Sequence, residues 1–198
     1  MTSRILVLAS GSGSLLQSLL ESPVGRAVAA VGSDTAEAFA LQRASEAGIP
    51  AFTVSPADFD SRADWNNGLL AAIRAVDPDL IVSAGFMRII SETGIRAAAC
   101  PMINIHPSLL PKYPGLHTHA RALAAGDAEH GASVHRVEAV LDGGRILSQA
   151  KIAVMPDDTP ERLAQRVLAI EHPLLIATVR AIAESRITLS EGADTRVS

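Results

Sequence analysis

The run Ile5-Leu6-Val7-Leu8-Ala9 is apolar at every position and is closed at once by Ser10-Gly11-Ser12-Gly13, and no other feature limits the possible folds as much. A strand with one face in water alternates polar and apolar residues, so an unbroken apolar run must be covered on both faces. Similar runs recur at residues 27–31, 52–54, 80–84 and 102–105, and longer segments with helical spacing lie between them at 14–21, 36–47 and 65–76. This β-α-β-α order predicts parallel strands joined by right-handed crossovers. The fold class is α/β, a doubly wound and mostly parallel sheet.

The pattern changes after residue 106. The next nine residues hold three prolines, Pro107, Pro111 and Pro114, and exclude regular structure. A short helix is expected at 118–125. Strands at 133–140 and 146–154, with Asp142-Gly143-Gly144 between them, read as a C-terminal antiparallel hairpin with a wide loop. Thr159 and Pro160 then cap the last long helix, which Pro173 should kink. Residues 1–189 are expected to form one domain, and 190–198 a disordered polar tail.

With 48% hydrophobic and only 3% aromatic residues, the core must be built from Ala, Val, Ile and Leu. The formal charge of −4 argues against general nucleic-acid binding, which needs a broad basic face. No apolar stretch is long enough to cross a membrane. Cys100 is the only cysteine, so no internal disulfide is available, and a cytoplasmic location is the expectation.

Three segments carry chemistry. Ser10-Gly11-Ser12-Gly13-Ser14 joins the first strand to the first helix, where tight turns and free amides suit a phosphate. A dinucleotide fingerprint would need a third glycine where Leu16 stands, and Asp34 only comes near the expected acidic position. A dinucleotide-binding oxidoreductase is therefore the weaker alternative. Asn104-Ile105-His106-Pro107-Ser108 follows a buried strand, and strand alternation puts Asn104 and His106 on one side. An amide and an imidazole side by side can hold an oxyanion and manage a proton. Asp142, in Leu141-Asp142-Gly143-Gly144, could orient His106, but an Asp-Gly turn is also an ordinary hairpin device. His117-Thr118-His119 lacks the further ligands that a metal site requires, so no metal is expected.

The stretch Asn104-x-His106-Pro107-Ser108-Leu109-Leu110-Pro111-Lys112-Tyr113-Pro114-Gly115 closely resembles the signature of the folate-dependent formyltransferases. Its continuation, Leu116-His117-Thr118-His119, resembles the glycinamide ribonucleotide branch of that family. Ala84 to Ile89, Gly131 to His135 and Leu141 to Gly144 follow in the family's order, and the likeness runs from Ile5 to about Leu189.

The resemblance implies a reaction, formyl transfer from 10-formyltetrahydrofolate to glycinamide ribonucleotide, with no metal and no covalent intermediate. It implies catalytic roles for Asn104, His106 and Asp142. It assigns Gly13, Ser14 and Leu15 to the ribonucleotide phosphate, and Pro107 and Glu171 to its sugar and glycinamide end. Met87, Arg88, Ile89 and Ile90, with Asn104, Glu138, Ala139, Val140 and Leu141, correspond to the folate pocket. Arg62 corresponds to a basic residue near the folate's glutamate tail. Ser12 and Leu15 depart from the asparagines many relatives carry there. Another folate-dependent formyltransferase or a 10-formyltetrahydrofolate hydrolase is the alternative, although such relatives carry further domains that this length does not accommodate. The partners implied are the two small molecules, without nucleic acid or membrane, and a homodimer is left open.

Overall fold

The computed structural model describes residues 4–189, so the expectation for the tail at 190–198 lies outside it. Seven strands form one sheet in the order β3-β2-β1-β4-β5-β6-β7. Five are parallel: β1 (Ile5–Leu8), β2 (Val28–Ser33), β3 (Ala51–Thr53), β4 (Leu80–Ser83) and β5 (Met102–His106). β6 (Glu129–Arg136) and β7 (Ile146–Ala153) are antiparallel and complete one edge. The helices are α1 (Ser14–Leu20), α2 (Phe39–Glu46), α3 (Arg62–Val76), α4 (Glu92–Ala97), α5 (Thr118–Ala124) and α6 (Pro160–Ala183), with two short 3₁₀ turns at Pro23–Ala27 and Pro56–Asp58.

The unbroken apolar runs are explained by this layering. Ile5 and Val7 of β1 pack with Leu16 and Leu19 of α1 and Leu175 and Val179 of α6. Leu6 and Leu8 point the other way, toward Trp65, Leu69 and Ile73 of α3. Both sides of β1 are thus covered, and each fully buried Leu or Ile is worth about 1.5–3 kcal/mol. Trp65 also donates its indole N–H to the Val54 carbonyl at 2.8 Å, so its one polar atom is satisfied in the core.

Several boundaries differ from the sequence reading for local reasons. α3 begins at Arg62 rather than 65, because the Ser61 hydroxyl caps it by accepting from the Asp64 amide at 3.1 Å. α2 begins at Phe39 rather than 36, because residues 34–38 turn instead, with the Ser33 hydroxyl accepting from the Thr35 amide at 3.2 Å. α4 was not anticipated; the Ser91 hydroxyl starts it by accepting from the Gly94 amide. α6 carries Pro173 inside it and runs from Pro160 to Ala183.

The largest correction concerns the hairpin. Its first strand spans Glu129–Arg136, not 133–140, and residues 137–145 form the loop. Arg136 pairs with Ile103 near the start of β5, so the neighbouring strand has little left to offer beyond it. The turn is also close-packed: a Cβ on Gly144 would lie 1.9 Å from the Arg136 carbonyl oxygen.

Candidate active site

Parallel strands direct all their carboxyl ends to one side, and the chemistry-bearing segments collect there. Ser10–Gly13 follows β1, the segment 84–90 follows β4, and Pro107 follows β5. The β6–β7 loop carries Glu138 to Asp142.

His106 is buried, and Asp142 Oδ2 lies 3.4 Å from its Nδ1. Its Nε2 donates to the Tyr113 carbonyl at 2.9 Å. Both ring nitrogens therefore face oxygen atoms. The 3.4 Å separation is longer than a hydrogen bond, so the Nδ1 side is not committed to the carboxylate. Asp142 is otherwise fixed by the Gly115 amide, which donates to Oδ2 at 2.8 Å. Burial raises the Asp142 pKa. His135, the Gly115 amide and the His106 charge outweigh that, and the carboxyl sits below its ordinary range.

His135 links the amide to this pair. Its Nδ1 donates to the Arg136 carbonyl at 2.8 Å, and its Nε2 lies 3.2 Å from Asn104 Nδ2 and 3.5 Å from Asp142 Oδ1. The three side chains chosen from the sequence are thus brought together, but Asn104 joins the others through His135, which that reading left out of the site. The antiparallel register sets Asn104 opposite His135, a signal that exists only once β5 and β6 are paired.

The loop that supplies Tyr113 and Gly115 is shaped to reach this spot. Tyr113, His117 and Asp142 all adopt left-handed φ values of 57°, 58° and 50°. Such non-glycine strain costs energy and clusters at functional sites. The Ser133 hydroxyl ties the loop down, donating to the Ser108 carbonyl at 2.6 Å and accepting from the Leu110 amide at 3.0 Å. His119 Nδ1 lies 3.1 Å from His130 Nε2, and among the described residues no group of three or more His, Cys, Asp or Glu side chains is placed to hold a metal ion.

At the β1 end, Gly13 has φ 67°, and a Cβ there would lie 2.8 Å from the Ala40 Cα. The carbonyls of Gly11, Ser12 and Gly13 are taken from behind by the Ala40 amide, the Arg43 guanidinium and the Gln17 amide. Ser14 and Leu15 open α1, where the first amides have no intrahelical acceptor. Glu171 lies buried on α6 without a hydrogen bond or ion pair among the described residues, and burial pushes its carboxyl up to about 7.

The segment after β4 is held on both sides. The Met87 amide donates to the Ser10 hydroxyl at 2.8 Å, and the Arg62 guanidinium donates to the Ile89 carbonyl at 3.0 Å. Ile90 is buried, whereas Met87 and Ile89 are exposed. Val140 and Leu141 of the β6–β7 loop and Leu116 are exposed as well. A cavity of about 440 Å³ lies between Phe59, Arg62 and Trp65 on one side and Met87, Arg88 and Ile89 on the other.

Residues 3–179 match the formyl transferase family model. The chain belongs to the formyl transferase family. Among the relatives of this formyl transferase, the phosphoribosylglycinamide formyltransferase of Escherichia coli (strain K12) is 44% identical, over 96% of this chain and 91% of its own. That of Mycobacterium tuberculosis (strain H37Rv) is 46% identical, over 94% and 87%. The crystal structure of glycinamide ribonucleotide transformylase 1 from Symbiobacterium toebii superposes with a TM-score of 0.89 at 40% identity, covering 96% of this chain and 92% of that one. The seven-stranded sheet with its antiparallel edge is the architecture of those transformylases.

Proposed function

We propose that this formyl transferase moves the formyl group of 10-formyltetrahydrofolate to the amine of glycinamide ribonucleotide, a step of purine biosynthesis. The observation that carries the reading is the meeting of Asp142 with His106, 3.4 Å apart, although the two are far apart in the chain. Relatives of similar length bearing that enzyme's name support the choice of substrates.

The reaction runs by direct attack. The glycinamide nitrogen forms a bond to the formyl carbon, and the carbonyl electron pair moves onto oxygen. Asn104 and His106, the latter through its Nδ1 proton, stabilise that oxyanion. Each such donor is worth roughly 3–4 kcal/mol in the transition state. Collapse of the tetrahedral intermediate restores the carbonyl and breaks the bond to the folate nitrogen. That nitrogen gains a proton while the attacking nitrogen loses one, and Asp142 serves as the acceptor that passes it on through water. Holding both substrates in register supplies much of the remaining acceleration.

Gly13, Ser14 and Leu15 hold the ribonucleotide phosphate through backbone amides, a mode indifferent to the Ser12 and Leu15 side chains. Pro107 and Glu171 meet its sugar and glycinamide end. Arg62, the segment from Met87 through Arg88 and Ile89 to Ile90, and the loop Glu138, Ala139, Val140 and Leu141 form the folate wall with Asn104. The same reading takes residues 1–189 as one catalytic unit, working in the cytoplasm without a metal and with a homodimer left open.

The test is to incubate the purified chain with 10-formyltetrahydrofolate, with and without glycinamide ribonucleotide. Loss of formyl-folate only when the ribonucleotide is present supports the reading. Loss without it would make the chain a hydrolase.

A further inference from the structure

We propose that Asp34 is a positioning residue that turns Arg88 so that the outer edge of its guanidinium meets a carboxylate of the folate carrier. This rests on the reading of the segment 87–90 as part of the folate wall. Asp34 stands just past β2, its side chain is only 4% exposed, and its Oδ2 accepts from Arg88 Nε at 2.6 Å. Arg88 is half exposed and lines the cavity that Arg62 lines from the other side.

The form of this pair does not suit one built for stability alone. A buried carboxylate facing arginine for that purpose would be met by two parallel N–H groups. Here only the inner Nε is engaged. Asp34 Oδ1 is buried with no partner among the described residues, a costly state for a carboxylate oxygen. The two outer nitrogens of Arg88 make no bond within the described residues. Orphaned buried acceptors of this kind call for an explanation in function. Gripping the arginine by its inner nitrogen fixes the direction of the fork and leaves the outer pair of donors free, the geometry that recognises a carboxylate bidentately.

The neighbouring ties agree with this. Ser10 holds the Met87 amide and Arg62 holds the Ile89 carbonyl, so the backbone on either side of Arg88 is fixed while its side chain is set separately by Asp34. Asp60 also lines the cavity, and its charge opposes an anionic guest. Placement of the two arginines therefore decides whether a carboxylate is accepted. The ligand class is an apolar ring system bearing a carboxylate tail, and the specificity is for the tail's charge.

The experiment compares two carriers in steady-state turnover with glycinamide ribonucleotide. One is 10-formyltetrahydrofolate with its glutamate carboxylates intact. The other has both carboxylates replaced by carboxamides. The wild type should prefer the carboxylate carrier, and Asp34→Asn should raise the KM for that carrier about tenfold. Its kcat and its ribonucleotide KM should stay within about twofold, and its KM for the carboxamide carrier should not move. A merely structural role for Asp34 would lower thermal stability and turnover with both carriers alike, and that result overturns the proposal. Should Asp34→Asn fail to fold, Arg88→Lys carries the test: it keeps the charge on a half-exposed side chain but removes the fork, and the same loss of preference is expected. A wild type that discriminates and variants that discriminate equally would overturn this proposal alone. A wild type indifferent to the two carriers would overturn the folate-wall reading beneath it as well.

Discussion

Two places along the carboxyl edge of the parallel strands solve the problem of holding a ligand by opposite means. At the β1 end, the glycine-rich turn offers backbone: its carbonyls are taken from behind, and one glycine, Gly13, occupies a place with no room for a Cβ. At the β5–β6 end, the site offers side chains, Asn104, His106, His135 and Asp142, on a frame that includes three strained left-handed residues. A backbone site tolerates changes in the side chains around it but not in the backbone itself. A side-chain site behaves the other way, because each group acts through one or two atoms.

That contrast can be broken most decisively at the trio. His106→Ala should lower kcat by about 10²–10³, the usual effect of removing one oxyanion stabiliser, and Asp142→Asn by about 10²–10⁴, the usual effect of removing a positioned proton acceptor. Carrier affinity, measured by direct titration, should change little. Near-normal turnover in either variant removes its assigned role. The next effect in size belongs to the turn: Gly13→Val forces a Cβ against the Ala40 backbone at a positive φ. It should raise the ribonucleotide KM by about tenfold or more, with a small change in the carrier KM. Equal shifts in both constants would show that the backbone end does not hold the phosphate.

The same contrast explains what the sequence made legible. β1, β4 and β5 could be located because a strand covered on both faces leaves an unbroken apolar run, and Ile5–Leu8 is buried at every position. α4 escaped notice because its six residues carry no apolar period of any length and depend on the Ser91 cap. The end of the first hairpin strand was misplaced because Val137 and Val140 continue an apolar pattern that the partner strand is too short to pair. His106 and Asn104 were visible through strand alternation within one element. His135 was not, because its place beside Asn104 is a property of register between two strands. Asp34 was noticed only as a failed fingerprint, since its meeting with Arg88 spans 54 residues of chain.

Glu171 sharpens the comparison from a third direction, being a buried carboxyl without a hydrogen-bond or ion-pair partner among the described residues. Burial raises it from its ordinary value to about 7, so the folded protein holds a proton that the unfolded chain gives up near 4.5. Stability from this group is complete below the unfolded value and is lost as pH rises through about 7. Glu171→Gln should therefore gain on the wild type in melting temperature between pH 5 and pH 8, while the ribonucleotide KM rises severalfold. A gain in stability with no change in that KM would leave Glu171 a core residue only.

The smallest effect is expected at His130, and it has the opposite sign with pH. Burial, then the charge of neighbouring His119, pushes His130 down to about 4, so the folded state keeps it neutral. Stability from this group is present above the unfolded value, about 6.5, and is lost as pH falls from there through about 4. His130 is 1% exposed and meets His119 on α5 at 3.1 Å, so protonating it would break the contact joining β6 to that helix. The melting temperature of the wild type should fall between pH 6.5 and pH 4.5, and His130→Gln should flatten that part of the curve by a few degrees. Because α5 follows directly on the loop that supplies Tyr113 and Gly115, the side-chain end should loosen first in acid, before the glycine turn does. Hydrogen exchange at pH 5 reads the two ends separately: faster exchange at residues 113–124 than at 13–20 agrees with the contrast, and equal exchange contradicts it.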